Sequence, residues 1–134
     1  MKRTLAIAAL LFIGSVGTAV AGTYATVTAS APATTVNVRS TAKISIVPSS
    51  GFRLNMEYPT KLVMVAPSGV TMEKAAQVRA EAVKFEEASA EFVVAFTASS
   101  VGKKTLTGEL KYAVCKAADC IPQTAKVAIN VDVK

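Results

Sequence analysis

Between residues 105 and 133 the chain alternates apolar and polar side chains twice, on either side of a short loop flanked by its only two cysteines. In the first arm Leu106, Leu110, Tyr112 and Val114 share one parity, and Thr105, Thr107, Glu109, Lys111, Ala113 and Cys115 share the other. In the second arm Val127, Ile129, Val131 and Val133 alternate with Lys126, Asn130 and Asp132. Successive side chains of a strand point to opposite faces, so each arm reads as a strand with one buried and one solvated face. Joined by Lys116-Ala117-Ala118-Asp119, the arms must run antiparallel, and their apolar face needs a second layer to cover it. Leu110, Tyr112, Val114, Val127, Ile129 and Val131 are therefore expected in the core. Cys115 is expected at the end of the outward, polar row, and Cys120 has the outward parity too.

The remaining sequence supplies that second layer. Short β-branched runs at Val36–Arg39, Ala42–Val47, Phe52–Asn55, Leu62–Ala66 and Glu91–Thr97 read as further strands. Pro48-Ser49-Ser50-Gly51, Pro67-Ser68-Gly69 and Ser99–Gly102 read as turns between them. About seven strands at this spacing predict an antiparallel β-sandwich. Met72–Ala90 is rich in Ala, Glu and Lys, but its apolar residues keep no helical stripe, so it is expected to be irregular with at most a short helical turn. With 134 residues, 51% of them hydrophobic, the chain suits one domain with one core.

The N-terminus reads as an export signal. Lys2 and Arg3 precede an uncharged run through Leu10, Leu11, Phe12 and Ile13, which ends in Ala19-Val20-Ala21. Small residues at these positions predict cleavage before Gly22, and the run is short of the ~20 residues that span a bilayer comfortably. The expected organisation is a signal peptide over 1–21, a flexible leader over 22–35 with an edge strand at Tyr24–Thr28, and the domain over 36–134. No stable membrane anchor is expected after cleavage. Removing Lys2 and Arg3 leaves 13 basic against 9 acidic side chains, a mild +4. The remaining basic residues, such as Arg39, Lys43, Lys61, Lys84 and Lys126, are spread along the chain rather than clustered with aromatics, so nucleic acid is not an expected partner.

Absent histidine narrows the chemistry. A zinc site would be left with two thiolates, and a hydrolytic cysteine would lack its base, so neither a metal nor another cofactor is expected. Cys115 and Cys120 instead face each other at a hairpin end, where Cα atoms ~4.5–5.5 Å apart accept a disulfide. Such a bond has two readings. As a staple it closes so short a loop that it contributes only about 2 kcal/mol, half of what a bridge between distant strands gives. As an outward disulfide it is open to a foreign thiolate, which brings its own nucleophile. Lys116 would favour a thiolate nearby and Asp119 would oppose it, so their net effect has no sign from sequence.

The stretch Gly108-Glu109-Leu110-Lys111-Tyr112-Ala113-Val114-Cys115, followed by Lys116-Ala117-Ala118-Asp119-Cys120-Ile121-Pro122, resembles the end of the N-terminal periplasmic domain of the protein-disulfide reductase family DsbD. Ser50-Gly51-Phe52-Arg53-Leu54-Asn55 is similar to that family's glycine-aromatic strand start, and Ala66-Pro67-Ser68-Gly69-Val70 to its proline-glycine turn. The resemblance runs from about Ala42 to Val133. It implies an immunoglobulin-like sandwich in which Cys115 and Cys120 are the redox pair, receiving electrons from a thioredoxin-like or membrane thiol-disulfide protein and passing them to envelope proteins. It also implies a cap loop over the cysteines at about Glu73–Ala82, where this chain carries Ala75, Ala76, Gln77 and Val78 instead of aromatics. The electron donor is expected to be a separate protein. Two other functions stay open: a non-catalytic binding or structural sandwich with an inert disulfide, and a chaperone-like or envelope-assembly role.

Overall fold

The computed structural model of the protein describes residues 24–134 and the backbone of residues 18–21. Among the described residues eleven strands follow one another: β1 (Thr18–Ala21), β2 (Ala25–Ser30), β3 (Ser40–Pro48), β4 (Arg53–Leu54), β5 (Lys61–Val65), β6 (Val70–Met72), β7 (Ala76–Val78), β8 (Lys84–Phe85), β9 (Ala90–Ala98), β10 (Gly102–Lys116) and β11 (Asp119–Val133). One sheet has the order β1-β2-β3-β9-β6, with β8 also on β9; the other has β11-β10-β5-β7, with β4 also on β10. Every strand pair is antiparallel. The fold is an all-β, immunoglobulin-like antiparallel sandwich.

The core forms where the two inward parities meet. The first sheet contributes Ala42, Ile44 and Ile46 of β3 with Phe92, Val94 and Phe96 of β9; the second contributes Leu62, Leu106, Leu110, Tyr112, Val114, Val127, Ile129 and Val131. The six side chains expected to be buried are therefore in the core, and Lys126, Asn130 and Asp132 are exposed. Burial of side chains this large contributes about 1.5–3 kcal/mol each. Gly108 shares the inward parity and lets β5 come close. A Cβ there would run into Met64 Sδ and stand 2.6 Å from the Val63 carbonyl oxygen.

The expected turns are present, and Gly51, Gly69 and Gly102 take positive φ values of 85°, 79° and 121°, which favour glycine. Met72–Ala90 holds short strands and a single 3-10 turn at Arg79–Glu81, in line with the irregular path expected of it.

One expected strand is missing. Val36–Arg39 is not a strand: Asn37 turns with φ 63°, and the Thr34 and Val36 N–H groups donate to the Asp132 and Lys134 carbonyls, clipping this segment to the end of β11. The strand expected at Tyr24–Thr28 is present as β2 at Ala25–Ser30, paired with β3, with Ala25, Val27, Ala29 and the following Ala31 buried. The small inward residues of this strand join the core alongside Ile44 and Ile46 of β3. The expected signal segment 1–21 lies outside the described residues except for β1, whose backbone pairs with β2, and Gly22 at the expected cleavage junction lies outside them as well. Among the described residues no helix is long and apolar enough to cross a membrane.

Candidate functional site

β10 and β11 form a continuous ribbon from Gly102↔Val133 to Lys116↔Asp119, and Cys115 lies directly opposite Cys120. The two are joined by a disulfide, with Cα atoms 4.0 Å apart. Only Ala117 and Ala118 lie beyond the ribbon, at its tip, so the hairpin itself brings the sulfurs together. Ala117 takes φ 53°, the left-handed conformation that lets so short a turn reverse the chain.

Parity assigns the faces correctly but does not fix exposure. Cys120 is exposed, whereas Cys115 is only 3% exposed and its outward neighbour Ala113 only 1%. The expectation that both sulfurs sit on an open face is corrected for Cys115. Its strand is flanked on both sides, by β11 and by the two-residue strand β4, which sets Leu54 opposite Val114 and Arg53 opposite Cys115. The chain then leaves β10: the Asn55 N–H donates to the Ala113 carbonyl, and the Asn55 side chain accepts from the N–H groups of Glu57 and Tyr58.

Register also separates the charges near the disulfide. Lys116 and Asp119 form the next pair along the ribbon, so their side chains leave from the face opposite to the cysteines. Lys116 Nζ accordingly lies 5.4 Å from the centre of the Phe52 ring, which packs edge-on against Tyr24 at 5.3 Å. Arg53 shares the cysteine face. Its row across three strands reads Arg53, Cys115, Cys120, and its Nη2 donates to the Ala117 carbonyl at 2.9 Å. Sequence reasoning gave Arg53 no role. The alternation of Arg53 with buried Leu54 marks its face, but nothing local shows that β4 pairs with β10 beside Cys115.

The region expected as a cap lies elsewhere. Residues 73–75 cross from one sheet to the other, and β7 pairs with β5, where Val78 faces Lys61, itself opposite Lys111. That level is two strands and four residues from Cys115, about 16 Å by strand spacing. Glu73–Ala82 therefore does not cover the cysteines. Its Gln77 is buried and donates to the Lys74 and Val93 carbonyls, and Glu73 pairs with Arg39 at 2.9 Å, so the segment closes the side of the sandwich. Tyr112 lies on the core face of β10, and burial pushes its phenol above its usual range, so it stays neutral near neutral pH.

No protein-family model matches the sequence, and no curated protein matches it significantly. Solved structures do share the fold. The N-terminal periplasmic domain of ScsB from Proteus mirabilis superposes with a TM-score of 0.50 at 13% identity over 87% of this chain. The yeast GGA1 GAE domain superposes with a TM-score of 0.52 at 8% identity, covering 84% of this chain and 97% of that one. At such identities the likeness is one of fold. The chain spans about half of that ScsB chain, 51% of its length.

Proposed function

We propose that the domain is an exported thiol-disulfide exchange module that relays electron pairs through Cys115 and Cys120, between a thioredoxin-like or membrane thiol-disulfide protein and proteins of the envelope. The asymmetry of the bridge carries this reading: one sulfur belongs to an exposed residue at a hairpin tip, the other to a buried one. The fold shared with a periplasmic domain, that of ScsB, supports it. So do the charged start, apolar run and Ala-Val-Ala ending of the N-terminus, because disulfides persist in exported proteins.

A disulfide opens when a thiolate attacks one of its sulfurs, and access selects Cys120. The partner's thiolate bonds to Cys120 Sγ, the Cys115–Cys120 bond breaks, and the electron pair leaves on Cys115 Sγ. The partner's second thiolate then attacks the partner sulfur of the mixed disulfide. The partner's own disulfide closes, and Cys120 departs as a thiolate. The partner dithiol gives up two electrons and two protons, and this chain gains them as two thiols. The reverse sequence delivers them to a further protein. This chain need supply no base, which suits a sequence without histidine.

The competing reading is an inert staple, and the burial of Cys115 favours it. Equilibration in glutathione or thioredoxin buffers separates the two. An exchange pair is expected between about −180 and −270 mV, and a structural bridge below about −300 mV. Cys115→Ser leaves the accessible Cys120 without its resolving thiol and should accumulate a mixed disulfide with a thioredoxin-like protein. A potential below the lower limit, with no adduct on Cys120, would falsify the exchange reading and leave the staple.

A further inference from the structure

The exchange sequence leaves an anion in an unfavourable place. Attack at Cys120 puts the leaving electron pair on Cys115, and a residue only 3% exposed has little water to stabilise a thiolate. Burial alone would make Cys115 a poor leaving group and would close the exchange route. A nearby cation can reverse that, provided it lies on the same face of the sheet.

The groups around Cys115 can be sorted by strand. On its own strand, Lys111 is four residues back along the outward row, beyond buried Ala113, and Lys116 leaves from the opposite face toward Phe52. From β11 come Cys120 itself and Asp119, the latter on the opposite face with Lys116. The connection after β4 carries Glu57, which is exposed and whose N–H is held by the Asn55 side chain. Glu87 meets β4 through its backbone carbonyl, which accepts from the Leu54 N–H. Among these, Arg53 is the charged group that stands directly beside Cys115 in the register on the same face. Facing Cβ atoms of neighbouring strands lie about 4.5–5.5 Å apart. From that position the guanidinium reaches the Ala117 carbonyl, two residues further along the chain from Cys115, so its side chain runs along the Cys115 side of the tip.

We propose that Arg53 is the charge partner of Cys115, holding its sulfur as a thiolate when the disulfide opens. The inference rests on the exchange reading above and supplies what that reading lacks, a stabilised leaving group. The Ala117 hydrogen bond fixes where the guanidinium sits. It also assigns a sign that Lys116 and Asp119 could not, since those two share the far face of the ribbon. A more stable thiolate favours the reduced pair, so Arg53 also makes the disulfide more oxidising.

The test titrates Cys115 alone, in Cys120→Ser protein, by the ultraviolet absorbance of its thiolate. With Arg53 in place the midpoint is expected below the ordinary cysteine value of about 8.5. Arg53→Gln in the same background should raise it by about one pH unit, a tenfold loss of thiolate at a given pH, because the group is left buried without its cation. Arg53→Lys keeps a charge and should recover part of the shift. In the two-cysteine protein at a pH above both midpoints, where Cys115 of the reduced pair is a thiolate, the same one-unit change should make the potential of Arg53→Gln about 30 mV more negative.

A midpoint that is the same with Arg53 in place and in the Arg53→Gln variant overturns the proposal. So does an Arg53→Lys variant that behaves like Arg53→Gln, since the effect would then come from the Ala117 tie. These readings need no partner protein. A low, Arg53-dependent midpoint in a protein that traps no thioredoxin-like partner would sink the exchange reading and keep the charge partnership; trapping with an unmoved midpoint would do the opposite.

Discussion

The two ends of the β10–β11 ribbon obey one pairing rule and end with different surfaces. From Gly102 to Lys111 the outward residues Thr105, Thr107, Glu109 and Lys111 are solvent-facing and the inward Leu106 and Leu110 are buried. From Tyr112 onward the rule still assigns faces, yet outward Ala113 and Cys115 are buried as completely as the inward side chains beside them. The facing direction of a strand residue is a local property, set by a two-residue period. Its exposure is a property of whatever lies across the sheet, here β4 and the chain that leaves it. A disulfide at the second end therefore has one accessible and one sheltered sulfur, a difference that periodicity alone does not supply.

The largest expected effect tests the first end. Ile129→Ala removes a fully buried side chain and should cost about 2–5 kcal/mol in urea unfolding. Lys126→Ala, three residues earlier on the solvated face of the same strand, should change stability by less than about 0.5 kcal/mol. Equal costs would mean that the ribbon's faces are wrongly assigned, and the comparison between its ends would fall with them.

A smaller effect tests the second end. Reducing the disulfide without altering any residue should lower stability by at most about 2 kcal/mol, the constraint that so short a loop places on the unfolded chain. The reduced protein should stay folded, because β11 and β4 still flank Cys115. Unfolding on reduction would show that the bridge, rather than the register, holds this end together, and an exchange module cannot depend on the bond it must break.

Legibility follows the same division. The ribbon, its register and its buried face were readable because the alternation of Leu106 to Val114 and Val127 to Val133 is local and strong. The irregular path of Met72–Ala90 was readable from the missing helical stripe. The strand at Tyr24–Thr28 is readable from the alternation of Ala25, Val27 and Ala29, but its extent to Ser30 is not, because Ala, Thr and Ser together look like a linker. The burial of Cys115 and the place of Arg53 could not be read at all. Both depend on a two-residue strand pairing with a residue about sixty positions away, and no local pattern encodes that partner.

The smallest expected effect is a gain, at the tip itself. Ala117 holds φ 53°, where a side chain's Cβ crowds its own backbone at a cost of about 1–2 kcal/mol. Glycine there escapes the crowding but gives back about 0.5–1 kcal/mol through its larger freedom in the unfolded chain. Ala117→Gly should therefore stabilise the protein by about 0.5–1 kcal/mol. Ala118 is the control, since its φ is not positive; Ala118→Gly gains nothing sterically and should cost a similar amount. The Arg53 bond ends on the Ala117 backbone carbonyl and survives both changes, so the charge beside Cys115 is preserved. The gain should also persist after reduction, because it resides in the turn rather than in the sulfur bridge. Opposite signs for the two substitutions would show that the turn, and not only the disulfide, sets Cys115 against Cys120. Two losses of equal size would mean that the tip is not left-handed at Ala117, and that the bridge is what imposes the register there.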